Sequence, residues 1–231
     1  MALFAIADLH LSFGVDKPMD IFSGWKDYTS RIYENWQSRV RKEDTVVIAG
    51  DISWAMNFNE LKEDFSFINK LNGKKIILKG NHDYWWTTVK KMQGFIDENH
   101  FHSIEILHNN AFETDEFAIC GTRGWLIEKP TDSELDKVYV RECQRLEASI
   151  KEGLKLGKEI VGFLHYPPLY EEQVSFKIID ILKSYDIKKC FYGHLHGASA
   201  FNATNGNAFG IEFRLISCDY VNFSPILIEK L

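Results

Sequence analysis

Five short apolar runs in this chain each end in a residue that can bind a metal ion, and this coincidence constrains the fold more than any other feature. Leu3 to Ala7 runs directly into Asp8-Leu9-His10, Thr45 to Ala49 into Gly50-Asp51, and Ile76 to Lys79 into Gly80-Asn81-His82-Asp83. Ile160 to Leu164 ends in His165, and Cys190 to Tyr192 ends in Gly193-His194-Leu195-His196. Rich in Ile, Val and Phe, the runs have the length of buried strands. Open α/β sheets bind ligands at the carboxyl ends of their strands, so one such fold would bring all five polar blocks to one edge.

Taken singly, each block has a bland reading. Asp-x-His after a strand is usually a turn, Gly-Asn-His-Asp is made of ordinary turn formers, and a lone histidine after an apolar run is more often a satisfied, half-buried side chain. His-x-His says more, because alternate strand residues face one way and would aim both rings at a common point. It is the conjunction that decides. Five unrelated turns are not expected to place His, Asp or Asn at the same end of five strands. The set combines imidazole nitrogens with carboxylate and amide oxygens and contains no thiolate, a donor mixture suited to zinc, iron or manganese.

Between the runs lie amphipathic stretches of helical length. Asp27 to Arg41 places Ile32, Tyr33, Trp36 and Val40 on one face, and Glu60 to Leu71 does the same with Leu61, Phe65, Ile68 and Leu71 before an Asn72-Gly73 stop. Trp86 to Glu98, Glu134 to Lys155 and Phe176 to Ser184 are further expected helices. This alternation predicts an α/β fold with partly parallel strands. Near the end, Phe209 to Ser217 and Pro225 to Glu229 read as adjacent strands joined by a short turn, which predicts a second sheet or an antiparallel edge. No repeat and no Pro, Gly or Ser-rich linker divides the 231 residues, so a single domain over 1–231 is expected.

Composition excludes several classes. The hydrophobic share of 45% and charged share of 26% are those of an ordinary globular protein. No segment reaches the roughly 18 apolar residues of a membrane helix, and Met1 to Leu11 lacks a basic leader and a cleavage site, so a cytoplasmic protein with no membrane partner is expected. Four scattered cysteines, Cys120, Cys143, Cys190 and Cys218, read as buried reduced thiols. A net charge of -6 with no basic block disfavours nucleic acid as a partner, although bound cations would reverse the field locally.

The ordered blocks Asp8-x-His10, Gly50-Asp51, Gly80-Asn81-His82-Asp83, His165 and Gly193-His194-x-His196 resemble the signature of the calcineurin-like metallophosphoesterase superfamily. This resemblance implies a four-layer α/β/β/α sandwich of two packed mixed sheets with outer helices. It implies two divalent or trivalent transition-metal ions, with manganese, iron or zinc foremost, that activate water to hydrolyse a phosphomonoester or phosphodiester of a small phosphorylated substrate. By position, Asp8, His10 and His196 would hold one ion, Asn81, His165 and His194 the other, and Asp51 would bridge them. His82 would act on the substrate phosphate and leaving oxygen, with Asp83 orienting its ring. One departure stands out: Trp54 occupies the position, three after the bridging acid, where many members carry Asp, so an outer contact would be missing or replaced. Asp-Arg-Gly does not follow the bridging acid, which disfavours the protein Ser/Thr phosphatase branch. A nuclease is the alternative activity, and a non-catalytic scaffold is disfavoured because none of the seven ligands is lost.

Other residues carry two readings each. Tyr84, Trp85 and Trp86 follow the His82 block and would either contact the substrate or open the next helix and pack into the core. Arg123, in Gly121-Thr122-Arg123-Gly124-Trp125, would clamp a phosphate or form a surface salt bridge. Trp125 to Tyr139 is positioned as a lid. His100, His102 and His108 are assigned no chemistry, and Trp25 and Trp36 are expected in the core.

Overall fold

The computed structural model describes residues 1–126 and 137–230. The expected lid and the first turn of the helix expected from Glu134 lie largely outside the described residues. The elements run β1 (Leu3–Ile6), α1 (Tyr28–Arg39), β2 (Thr45–Ala49), α2 (Phe58–Lys70), β3 (Lys74–Leu78), α3 (Val89–Glu98), β4 (Ile104–Ile106), β5 (Phe112–Glu113) and β6 (Phe117–Thr122). They continue with α4 (Lys137–Leu154), β7 (Glu159–Leu164), β8 (Leu169–Tyr170), β9 (Gln173–Val174), α5 (Phe176–Ser184), β10 (Lys189–Tyr192), β11 (Gly206–Ala208), β12 (Ile211–Leu215) and β13 (Ile226–Ile228).

Two mixed sheets result. In the first, ordered β13-β1-β2-β3-β4, β1 to β4 are parallel and β13 is antiparallel to β1. The second is ordered β11-β12-β10-β7-β6-β5, parallel from β12 to β6 with antiparallel edges. The apolar runs face two ways because both faces of each sheet are covered. Phe4, Ile6, Val46, Ile48 and Ile77 pack with Trp36, Phe65 and Phe95 of α1, α2 and α3. Their neighbours Leu3, Ala5, Val47, Ile76 and Leu78 instead meet Phe117, Ile119, Val161, Phe163 and Phe191 of the second sheet. On the far side of that sheet, Cys120, Ile160 and Cys190 lie under Leu146 and Ile150 of α4 and Ile178 and Leu182 of α5. The order of layers is helix, sheet, sheet, helix, as the resemblance implied.

The starts of α2 and α3 are set by side-chain caps. The Asn57 side chain accepts the N–H groups of Asn59 (3.0 Å) and Glu60 (3.2 Å), and such a cap contributes about 1 kcal/mol. Thr88 caps α3 in the same manner, so that helix begins at Val89 and leaves Tyr84, Trp85 and Trp86 in the loop before it.

The last two strands correct the expectation drawn from their proximity. β12 and β13 do not pair with each other: β12 is parallel to β10 in the second sheet, and β13 is antiparallel to β1 in the first. The connection between them crosses from one sheet to the other. Where it leaves β12, the Ala7 N–H donates to the Ile216 carbonyl (2.8 Å) and the Cys218 N–H to the Ala7 carbonyl (2.9 Å), which stitches the end of β1 to the end of β12. All four cysteines are buried and unpaired. No helix of the described residues is long and apolar enough to cross a membrane.

Candidate metal centre

The stitched edge is where the polar blocks collect. Asp8, His10, Asp51 and Asn81 follow β1, β2 and β3 of the first sheet, while His165, His194 and His196 follow β7 and β10 of the second. Ligand-type atoms of Asp8, His10 and His196 lie within 4.8 Å of one another, and those of Asp51, His165 and His194 form a second such group. The Asn81 Oδ1 belongs with the second, 2.6 Å from His165 Nε2 and 2.9 Å from His194 Nδ1. Asp51 stands between the groups, its Oδ2 3.9 Å from His10 Nε2 and its Oδ1 3.5 Å from His165 Nε2.

Local backbone makes this convergence possible. Asp8, His10, Asp51 and His194 all have φ between 46° and 74°, the left-handed region that costs a non-glycine residue roughly 1–3 kcal/mol each. His194 at φ 74° also corrects the alternation argument. The strand has ended at Tyr192, and the two rings of His-x-His enter different groups. Two glycines permit close approach: a Cβ on Gly80 would lie 2.1 Å from Asp51 Oδ1, and one on Gly193 would lie 2.3 Å from Asp8 Oδ2.

Electrostatics favour a cation. Asp8 and Asp51 are almost fully buried, and among the described residues no lysine or arginine pairs with either. Burial, then the charge of Asp8, pushes the Asp51 carboxyl up to about 8. Burial pushes His10 down to about 3 and, with the charge of His165, His194 down to about 4. For Asp8, burial alone would raise the carboxyl, but the hydrogen bond and charge of His196 hold it well below the usual range. His196 is the converse: burial opposes its charge, yet bonds to Asp219 and Asp8 push it up to about 10. Without a cation the cluster must hold protons to exist, and metal binding would displace them.

The donor atoms are turned inward. His165 Nδ1 lies 3.1 Å from the Ala49 carbonyl, which can only accept, so its Nε2 presents a lone pair. That lone pair faces the Asn81 Oδ1, an arrangement that is repulsive unless something positive lies between. His196 is fixed likewise, its Nδ1 2.8 Å from Asp219 and its Nε2 toward Asp8 and His10. These residues fit a pair of transition-metal ions.

Comparison with known proteins follows the same line. The family model for calcineurin-like phosphoesterases matches residues 1–198. The chain belongs to the calcineurin-like phosphoesterase family. A search of curated proteins finds no match. Among solved structures, this calcineurin-like phosphoesterase is similar in fold to AQ665, a protein of unknown function from Aquifex aeolicus, with 17% identity, coverage of 98% of this chain and 95% of that one, and a TM-score of 0.54. It is similar also to the phosphopantetheinyl hydrolase PptH from Mycobacterium tuberculosis (14%, 98% and 95%, 0.53) and to TT1561 of Thermus thermophilus (10%, 98% and 97%, 0.59).

Around this phosphoesterase centre, some expected roles change. Asp83 does not orient His82: its carboxylate accepts the backbone N–H groups of Gly80 (2.7 Å), Ile52 (2.9 Å) and Ser53 (3.3 Å), clamping two site loops together. The neighbour of His82 Nδ1 is the hydroxyl of exposed Tyr84, 3.4 Å away. Trp85 is not a substrate contact, being 2% exposed and packed edge-on against Phe65 in the core. The Arg123 guanidinium faces Glu142, 3.7 Å away, and the Trp125 ring rather than the metal centre. Trp54 fills the place of the absent Asp by stacking on His10 (5.0 Å) and lying against His82 (4.4 Å), with its N–H donated to the Met19 sulfur. Trp25 is buried as expected, yet it also walls the site beside His10 and His196.

Sequence reasoning missed Ser217, whose hydroxyl donates to Asp8 (2.8 Å), and Asp219. The signal that would have found them was already in use: Ser217-Cys218-Asp219 is a polar block at the end of an apolar strand.

Proposed function

We propose that the chain hydrolyses a phosphomonoester or phosphodiester of a small phosphorylated substrate at a dinuclear metal centre. The observation that carries this reading is the placement of Asp51 between Asp8, His10 and His196 on one side and Asn81, His165 and His194 on the other, with donor atoms that converge and, among the described residues, no lysine or arginine to neutralise them. Asp8, His10 and His196 would hold one ion and Asn81, His165 and His194 the other, with Asp51 shared. Two such ions supply Lewis acidity at the phosphoryl oxygens and lower the pKa of water toward neutrality.

The protein's own groups do the rest. The Asp8 carboxylate is held by the His194 N–H (2.9 Å) and the Ser217 hydroxyl, so it cannot turn away from its group. His82 is kept below its ordinary pKa, chiefly by burial and then by the charge of His165. A neutral His82, packed on Trp54, offers one N–H to a phosphoryl oxygen or to the departing alkoxide. Tyr84, at the rim, holds the other ring nitrogen.

The test measures metal content beside turnover of bis-p-nitrophenyl phosphate, p-nitrophenyl phosphate and a nucleotide panel. Asp51→Ala and His165→Ala are expected to lose metal and activity together, whereas His82→Gln keeps its metal and loses roughly 100-fold in turnover. Metal loss from the His82 variant, or full activity in the Asp51 variant, would overturn the division of roles.

A further inference from the structure

The loop that leads from β1 to α1 sets one cation against the wall of the metal centre. Lys17 Nζ lies 4.7 Å from the centroid of the Trp54 ring. The same ring stacks on the candidate ligand His10 (5.0 Å) and lies against His82 (4.4 Å), so one indole touches both histidines and the ammonium. Two residues beyond Lys17, the sulfur of buried Met19 accepts the Trp54 N–H (3.4 Å). Pro18, whose ring fixes its φ, joins the two contacts. Residues 17–19 are thus fastened to the indole at both ends.

The fold makes no other use of this charge. Lys17 is exposed, and its ammonium forms no hydrogen bond or ion pair with a described residue. Neither of the acids beside it in the chain pairs with it, and Asp20 instead accepts the Asp27 N–H (3.0 Å). Its charge reaches His82, where it acts with burial and the charge of His165 against protonation of the ring. Arg123, which also follows a strand near the site, is turned to Glu142. A cation over an exposed ring is held weakly, whereas its bond to a phosphate is charge-assisted, and the four-carbon stem of a lysine lets the group move from one to the other. The wall therefore offers a phosphate one unpaired positive charge beside the N–H of a neutral His82.

We propose that Lys17 is a substrate-binding residue that holds a phosphoryl oxygen beside His82, so that phosphomonoesters are the preferred substrates. A monoester carries about 1.5 to 2 negative charges at neutral pH and a diester about one, and a cation added to the site therefore stabilises the bound monoester more. The assignment rests on the phosphoesterase reading of the centre and chooses between its two ester classes.

Two measurements on the full-length, metal-loaded protein test it: kcat/KM for p-nitrophenyl phosphate and for bis-p-nitrophenyl phosphate, and calorimetric titration with inorganic phosphate. We expect the wild-type ratio of monoester to diester to exceed one. In Lys17→Met, kcat/KM for the monoester and the affinity for phosphate should each fall roughly tenfold or more, with a smaller loss on the diester. Lys17→Arg should keep most of the preference. Metal content and melting temperature of both variants should match the wild type, because Lys17 is exposed and holds no ion pair to a described residue. Equal losses on the two esters, or no loss on either, overturn the proposal. A wild-type preference for the diester overturns the substrate class. Loss of metal from Lys17→Met also overturns it, by placing Lys17 among the supports of the centre. Weaker phosphate binding by Lys17→Met, in a protein that cleaves neither ester, would retain the phosphate contact and sink the phosphoesterase reading.

Discussion

At the residue scale, the centre depends on atoms that never touch a ligand. Asp219 accepts from His196 Nδ1 and from the Gly197 N–H (3.1 Å), which fixes the ring so that Nε2 faces Asp8 and His10. Replacing a partner of this kind commonly lowers metal affinity 10–100-fold. Asp219→Ala is therefore expected to shift metal titration by about that factor while leaving the fold intact, as measured by competition with a chelator of known affinity; an unchanged affinity would remove Asp219 from the centre. The seven candidate ligands were legible in the sequence because each follows an apolar strand. Asp83 was misread, and Trp85 and Arg123 took the core-packing and salt-bridge readings, for a common reason: position after a strand places a backbone near the site, but not the direction of its side chain.

At the scale of elements, α2 supports the two loops that carry His10 and Asp51. Buried Asp64 accepts the Phe13 N–H (2.8 Å) and the hydroxyl of Ser53, and Ser53 in turn accepts the Ala55 N–H (3.0 Å). Burial pushes the Asp64 carboxyl up to about 6 from an unfolded value of 3.8, although both hydrogen bonds oppose the shift. A raised carboxyl pKa means that the native state binds the proton more tightly than the unfolded chain. The contribution of Asp64 to stability therefore declines as pH rises from about 4 to about 6 and is flat above. Asp64→Asn cannot titrate. The unfolding free energy of the variant relative to wild type should rise by on the order of 2 kcal/mol between pH 4 and pH 7, measured by urea denaturation in the absence of metal. A difference that stays level across that range would show that Asp64 is not held as described. Helix existence was readable from apolar spacing, but the starts at Phe58 and Val89 were set by the caps Asn57 and Thr88.

At the scale of the whole molecule, the candidate ligands divide between the sheets, four following strands of the first and three following strands of the second. A cation bound there would crosslink the two layers in addition to the apolar contacts between them. Ligands that bind only the native state stabilise it by mass action, by about 4 kcal/mol when free ligand is a thousandfold above its dissociation constant. Saturating manganese, iron or zinc is thus expected to raise the melting temperature of the wild-type chain, chelation to reverse the rise, and His165→Ala to abolish it. Indifference of the melting curve to all three metals would contradict a centre shared between the sheets.

The alternation of apolar runs and amphipathic stretches, read with the family resemblance, was enough to anticipate the layered α/β class, and the polar blocks at the strand ends pointed to the ligands, because periodicity and strand-end position are local properties of a chain. The tertiary structure alone decided that β12 and β13 belong to different sheets, that the Asp83 carboxylate clamps two loops instead of facing His82, and that the Arg123 side chain turns to Glu142. Those outcomes depend on which surfaces meet across tens to hundreds of residues of sequence, and no spacing within the chain encodes such a meeting.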